Sequence, residues 1–308
     1  MTSTLWQMFA LIACGAAWRY GRPAGLSAEQ TRTVLTTLVY YLLLPALVLE
    51  VLWKADVGFH SLQYTLFGTL CLAFGMLGIW ACGHMLRFKP QQMGAVLLAA
   101  AFPNVTYLGL PVLEQAFGHW ARSVAIQIDL FAVAPVLFTV GIAAARHFGQ
   151  NGDSVRQPVG SFLTAPPFLA AMLAVVLNLC RVPLPDGLAS VLQKLGAGVV
   201  PLMLISLGLA LSWQAVTLRN LPHVAPVILI KMGLMPLFAL WFSRYLTLDQ
   251  AHKNALTLEM AMPCMVLGIV FCDRYRLDSA LYAMSVTLST LLSLVTLPFW
   301  YRVAAGGF

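Results

Sequence analysis

Asp129, Lys231 and Glu259 each stand deep inside a long apolar stretch. A charge at the centre of a bilayer costs about 2.5–3.5 kcal/mol on insertion scales, so each needs a partner or a task. A buried pair between Asp129 and Lys231 would be structural. As chemistry, Asp129 or Glu259 would take a proton or Na+, and Lys231 would serve as an anion site or counter-charge. Gln127 and Asn178 read as hydrogen-bond partners between helices.

A second constellation is Ala101-Phe102-Pro103-Asn104-Val105-Thr106-Tyr107-Leu108-Gly109-Leu110-Pro111. Proline inside a helix removes a hydrogen bond and clashes with the preceding turn. With Gly109 and Pro111, an uninterrupted helix is not expected. Freed backbone groups cannot face lipid, so they must line protein or a wet cavity. Asn104, Thr106 and Tyr107 add donors and acceptors at that point. Glu259-Met260-Ala261-Met262-Pro263-Cys264-Met265 is the matching stretch, with Glu259 one turn before Pro263. Two such breaks meeting would place electropositive half-helix N-termini beside an anion and carbonyl ends beside a cation. The other reading is a kink that only packs helices, since Pro and Gly are common in membrane helices.

Other chemistries lack their signatures. The six histidines, His60, His84, His119, His147, His223 and His252, sit mostly near helix ends and show no HExxH spacing. There is no GxSxG or phosphate-loop motif, so an enzyme is not expected. The six cysteines form no CxxC pair and read as single thiols, and no cofactor beyond a coupling Na+ or H+ is implied. Glu50 and Glu114 lie near helix ends and can reach the interface.

The elements that must position these residues are transmembrane. The chain has 308 residues, 60% apolar and only 9% charged, where soluble domains average about 25% charged. So few charges cannot cover a water-facing surface of this size. The net charge of +7 is spread over the ends of apolar runs, as membrane orientation requires, and implies no nucleic acid. Ten helices are expected at about 3–20, 30–53, 60–86, 90–117, 120–147, 162–181, 187–213, 222–246, 250–272 and 277–303. Pro45, Pro103 and Pro135 recur at nearly constant spacing as Pro201, Pro263 and Pro298. Five helices per half is an odd number, so the second half would be inverted. This is an all-α polytopic membrane protein: ten transmembrane helices in an inverted 5+5 repeat, with broken, crossing helices 4 and 9. Residues 1–147 would form the first repeat, 148–161 a cytoplasmic connection and 162–308 the second repeat. Arg19, Arg22, Arg32, Arg87, Lys89, Arg146, Arg156, Arg219, Arg274 and Arg276 outnumber Lys54, Arg122, Arg181, Arg244, Lys253 and Arg302 in the alternate connections. The richer side should be cytoplasmic, which leaves both termini outside the cell inner (plasma) membrane.

The sequence resembles the auxin efflux carrier family, whose bacterial members include malate and malonate permease-like proteins. The likeness lies in Gly25-Leu26-Ser27 with Leu38-Val39-Tyr40-Tyr41-Leu42-Leu43-Leu44-Pro45, in Asn104 to Pro111 ending at Ala116-Phe117-Gly118, and in Ala261-Met262-Pro263 with Ser289 to Pro298. Pro201 to Leu211 is a looser match. The resemblance implies a scaffold of helices 1, 2, 6 and 7 and a transport domain of helices 3–5 and 8–10. It implies elevator-type movement, organic-anion substrates and a homodimer, with Pro103, Asn104 and Pro263 at the crossover. Plant auxin exporters resemble an Asn-Pro-Asn pattern there, whereas Phe102 precedes Pro103 and Cys264 follows Pro263 here, so auxin is not the expected substrate. The fold is also similar to that of bile-acid sodium symporters, with Glu259 placed like a residue of their sodium-binding helix.

The expectation is a secondary transporter of a small organic anion (a carboxylate). Pro103, Asn104, Thr106, Tyr107, Pro263, Cys264 and Met265 form the substrate site. Asp129, Glu259 and Lys231 are the coupling candidates, with Na+ near Asn104 and Glu259. The alternative is a sodium-coupled, bile-acid-like symporter for a larger amphipathic anion.

Overall fold

The computed structural model describes residues 2–55, 58–150, 161–211 and 216–306. The helices are α1 (Thr2–Gly21), α2 (Ala28–Lys54), α3 (Phe59–Met85), α4 (Pro90–Ala101), α5 (Leu110–Phe117) and α6 (Ala121–Phe148). After them come α7 (Pro166–Leu179), α8 (Asp186–Ala210), α9 (Leu218–Ser243), α10 (Gln250–Met260), α11 (Gly268–Tyr275) and α12 (Ser279–Ala304). By length and composition α2, α3, α6, α8, α9 and α12 can each cross a membrane. α1, α7 and the broken pairs α4–α5 and α10–α11 occupy the other stretches read as spans. Of the 148–161 connection, residues 151–160 lie outside the described residues.

Helix starts follow local chemistry. Ser27 and Gln30 form a reciprocal capping box ahead of α2. Asp249 and Asp278 each accept a backbone N–H at the start of α10 and α12. Inside the spans, prolines set most of the irregularities, the π turn at Leu137–Gly141 being the exception among the described residues. Widened π turns at Val39–Leu43, Val105–Gly109, Asp129–Val133 and Ile230–Leu234 stand immediately before Pro45, Pro111, Pro135 and Pro236. A proline ring presses on the carbonyl four residues back, and a turn widened by one residue relieves that pressure.

Two sets of helices are cemented internally. α1 crosses α8 backbone to backbone: a Cβ on Gly15 would run into the Ile205 carbonyl, and one on Gly208 into that of Ile12. The Asn178 amide of α7 donates to Leu52, Trp53 and Ala55 carbonyls at the end of α2, at 3.2, 2.9 and 2.7 Å. In the second set, α4 and α10 are buried along most of their length, packed with α3, α6, α9 and α12. At one end of this set, Gln150 donates to the Tyr275 carbonyl and Asp278 to that of Gln91.

A candidate solute site at the helix crossover

α4 stops at Ala101 because Pro103 cannot continue it, and Phe102 and Pro103 run extended. α10 stops at Met260 for the same reason, ahead of Pro263. The two gaps lie against each other as an isolated antiparallel bridge between Pro103 and Cys264. Asn104 N–H donates to the Pro263 carbonyl at 2.8 Å and Met265 N–H to that of Phe102 at 3.0 Å. α12 supports the bridge from behind: Ser289 Oγ accepts from Cys264 N–H at 3.1 Å, and Tyr282 OH donates to the Met265 carbonyl at 2.6 Å. The backbone groups released by two prolines are thus satisfied by each other and by α12, away from lipid.

On one side of the bridge lies a cavity of about 90 Å³ lined by Tyr40, Leu44, Asn104, Val105, Thr106, Tyr107, Asp129 and Met265 to Leu267. Thr106 Oγ1 donates to Asp129 Oδ2. Asn104 is 2% exposed and its Nδ2 has no partner. A buried amide donor left unmade costs about 1–3 kcal/mol, so this one is available to a guest with an acceptor oxygen. The π turn from Val105 also begins here, and the first N–H groups of a helix have no carbonyl within it.

Glu259 and Lys231 lie outside the lining of this cavity. Glu259 is fully buried and neither carboxylate oxygen has a hydrogen bond. Its Oε1 lies against the bare Cα of Gly109, where a Cβ would overlap it. Lys231 is also fully buried. Its Nζ touches Met235 Sδ at 3.1 Å, and its electrostatic neighbours are Cys264, Cys71 and Glu259.

Of the residues singled out in sequence, Asn104, Thr106, Tyr107, Met265 and Asp129 meet at the cavity. Pro103, Pro263 and Cys264 belong to the bridge, and Glu259 has both Asp129 and Lys231 as electrostatic neighbours. The alternative of an Asp129–Lys231 pair is overturned: no ion pair joins them among the described residues. Asp129 is turned to Thr106, and Lys231 to Met235. Tyr40 was missed, although paired tyrosines at 40 and 41 inside an apolar span were a signal. Among the described residues no cluster of three or more His, Cys, Asp or Glu is placed to hold a metal ion.

A line of cavities leads outward. A gap of about 10 Å³, room for one water at most, shares Leu44, Thr106 and Asp129 with the crossover cavity and is otherwise walled by Val48, Leu110, Ile126 and Leu130. Beyond Leu110 is a space of about 290 Å³ that reaches Arg122 and Ala197. Those two residues also border an outer cavity of about 920 Å³. A buried polar pocket at two broken helices, joined by a closed apolar neck to a wide mouth, is what a carrier needs. The chain belongs to the membrane transport protein family. The family's pattern matches residues 3–152 and 155–301, as the resemblance to auxin efflux carriers implied. The transporter is 29% identical over 283 residues to an uncharacterized transporter of Methanothermobacter thermautotrophicus, covering 90% of each chain. It is 26% identical over 284 residues to one of Methanocaldococcus jannaschii, covering 90% of this chain and 91% of that one. The uncharacterized transporter YfdV of Escherichia coli K12 is 23% identical over 297 residues, with 92% of each chain covered. Family and relatives are transporters, not enzymes.

Proposed function

We propose that this transporter carries a small organic anion, of the carboxylate class, held at the crossover of α4–α5 with α10–α11. The observation that carries the reading is the unpartnered Asn104 amide at a small cavity beside the Pro103–Cys264 bridge. Thr106, Tyr107 and Tyr40 supply further hydroxyls. The size of the cavity favours a small solute over a bile-acid-like one, since drug-sized ligands occupy roughly 300–1,000 Å³.

In this reading the spans are ten, in an inverted 5+5 repeat, and movement is of the elevator type. The line of cavities runs between α2 and α8 on one wall and α5 and α6 on the other. That seam supports a fixed scaffold of α1, α2, α7 and α8 and a moving unit of the remaining helices. Glu259 is the coupling residue: at its depth a bare carboxylate needs a cation, and a proton or Na+ would serve. The wide mouth faces away from the cytoplasm by the Lys and Arg distribution.

The test is uptake of radiolabelled malonate and malate by the purified transporter in proteoliposomes. Asn104→Ala should reduce uptake at least tenfold while leaving expression and melting temperature unchanged, because loss of a hydrogen bond to a charged group is worth about 1.5–3 kcal/mol. Uptake equal to that of the native protein would remove the crossover as the solute site.

A further inference from the structure

The outer cavity is more than an entrance, because its fixed charges nearly cancel. Lys54 is tied to Glu50 at 2.9 Å, and Glu50 also accepts from Gln193 at 3.3 Å. Arg122 is tied to Glu114 at 2.5 Å. Asp249 accepts from the backbone and ring of His252, which hold its carboxyl below the ordinary value. Among the described residues the wall thus carries two fixed cations, Lys54 and Arg122, and two carboxylates, Glu50 and Asp249, with Glu114 bonded to Arg122 from outside the lining, a balance that does not attract an anion.

Three imidazoles from separate elements complete the wall: His60 on α3, His119 between α5 and α6, and His252 on α10. His119 Nδ1 lies 2.8 Å from Glu114. The His252 ring stands between Trp120, at 4.4 Å, and Tyr64, at 6.1 Å and nearly parallel, with His60 at 6.3 Å. Carboxylate partners and aromatic faces both suit an imidazolium. Among the described residues no other titratable side chain borders this space.

We propose that the outer cavity is a separate, acid-switched loading site for anions, in which protonation of His60, His119 and His252 makes it positive and concentrates the anion ahead of the neck at Leu44 and Leu110. It rests on the reading that the transported solute is an anion. Histidine is the side chain whose charge ordinarily changes between pH 5 and 8. A cleft of one charge sign raises local anion concentration by a factor of about ten or more.

The probe is 1,2-ethanedisulfonate, a small dianion whose own charge is constant across this range. Its binding is measured by calorimetry on the intact transporter in nanodiscs at pH 5.5 and 7.5. Asn104→Ala, which disables the crossover, should retain a site that tightens about tenfold on acidification. The same background carrying His60→Gln, His119→Gln and His252→Gln should lose the tightening. Equal pH dependence with and without the histidines overturns the proposal, as does absence of binding by Asn104→Ala at pH 5.5. If the triple variant fails to fold, His252→Gln alone should abolish the acid quenching of Trp120 emission, assigned by difference against Trp120→Phe, and the probe should shift that quenching to higher pH. A probe without effect on the quenching overturns the proposal. An acid-switched site in a protein that moves no organic anion would leave the loading site standing and sink the transport reading instead.

Discussion

Glu259 is the residue whose surroundings ask most of it. Both oxygens are orphaned, it is fully enclosed, and Gly109 is the only residue type that leaves it room. The native protein should therefore melt at a temperature that depends on Na+ or pH. Glu259→Gln, which removes the charge at constant shape, should melt a few degrees higher without added cation and respond to neither. A charge at this depth costs about 2.5–3.5 kcal/mol, and about 2–4 °C accompanies each kcal/mol in a chain of 150–250 residues. A variant that still responds as the native protein does would make Glu259 structural. Glu259, Asp129 and Lys231 were all legible in sequence, because a charge within an apolar run has few innocent explanations. Their neighbours were not. π turns beginning at Asp129 and Ile230 rotate each span, so a regular helical wheel aims both side chains wrongly. The grouping of the outer cavity's histidines was not legible for a related reason: His60, His119 and His252 come from three distant parts of the chain and share a wall only in the fold.

At the scale of elements, the breaks and their meeting were readable, and the strand-like bonding between them was not. Pro103 and Pro263 mark where each helix must stop. No local signal says that two extended residues from separate halves will bond like strands, since no run of strand-forming residues is needed when four backbone groups have nowhere else to go. Ser289 is part of the same accounting, and Ser289→Ala would leave the Cys264 N–H without an acceptor. The expected cost is about 1–3 kcal/mol, read as a fall of several degrees in the melting temperature in detergent. An unchanged melting curve would show that the bridge does not depend on α12.

At the scale of the molecule, the contrast is between a set of helices locked by bare backbone contact and a set that meets it across a line of cavities. Gly208→Ala pushes a methyl group into α1 near the Ile12 carbonyl. Overpacking of this kind costs about 1–3 kcal/mol, so the variant should melt several degrees lower. The folded fraction should keep the native KM for malonate, because α1 and α8 meet there away from the crossover cavity. A changed KM with native stability would mean that the α1–α8 contact shapes the solute site. The main-chain bridge at Pro103 and Cys264 has one more consequence. It makes one rigid cradle of two spans, so a solute resting there would be ferried with its berth and not squeezed between closing jaws. If the proposed elevator movement holds, such a berth would keep its shape throughout the crossing, and the grip on the passenger should be the same at either shore.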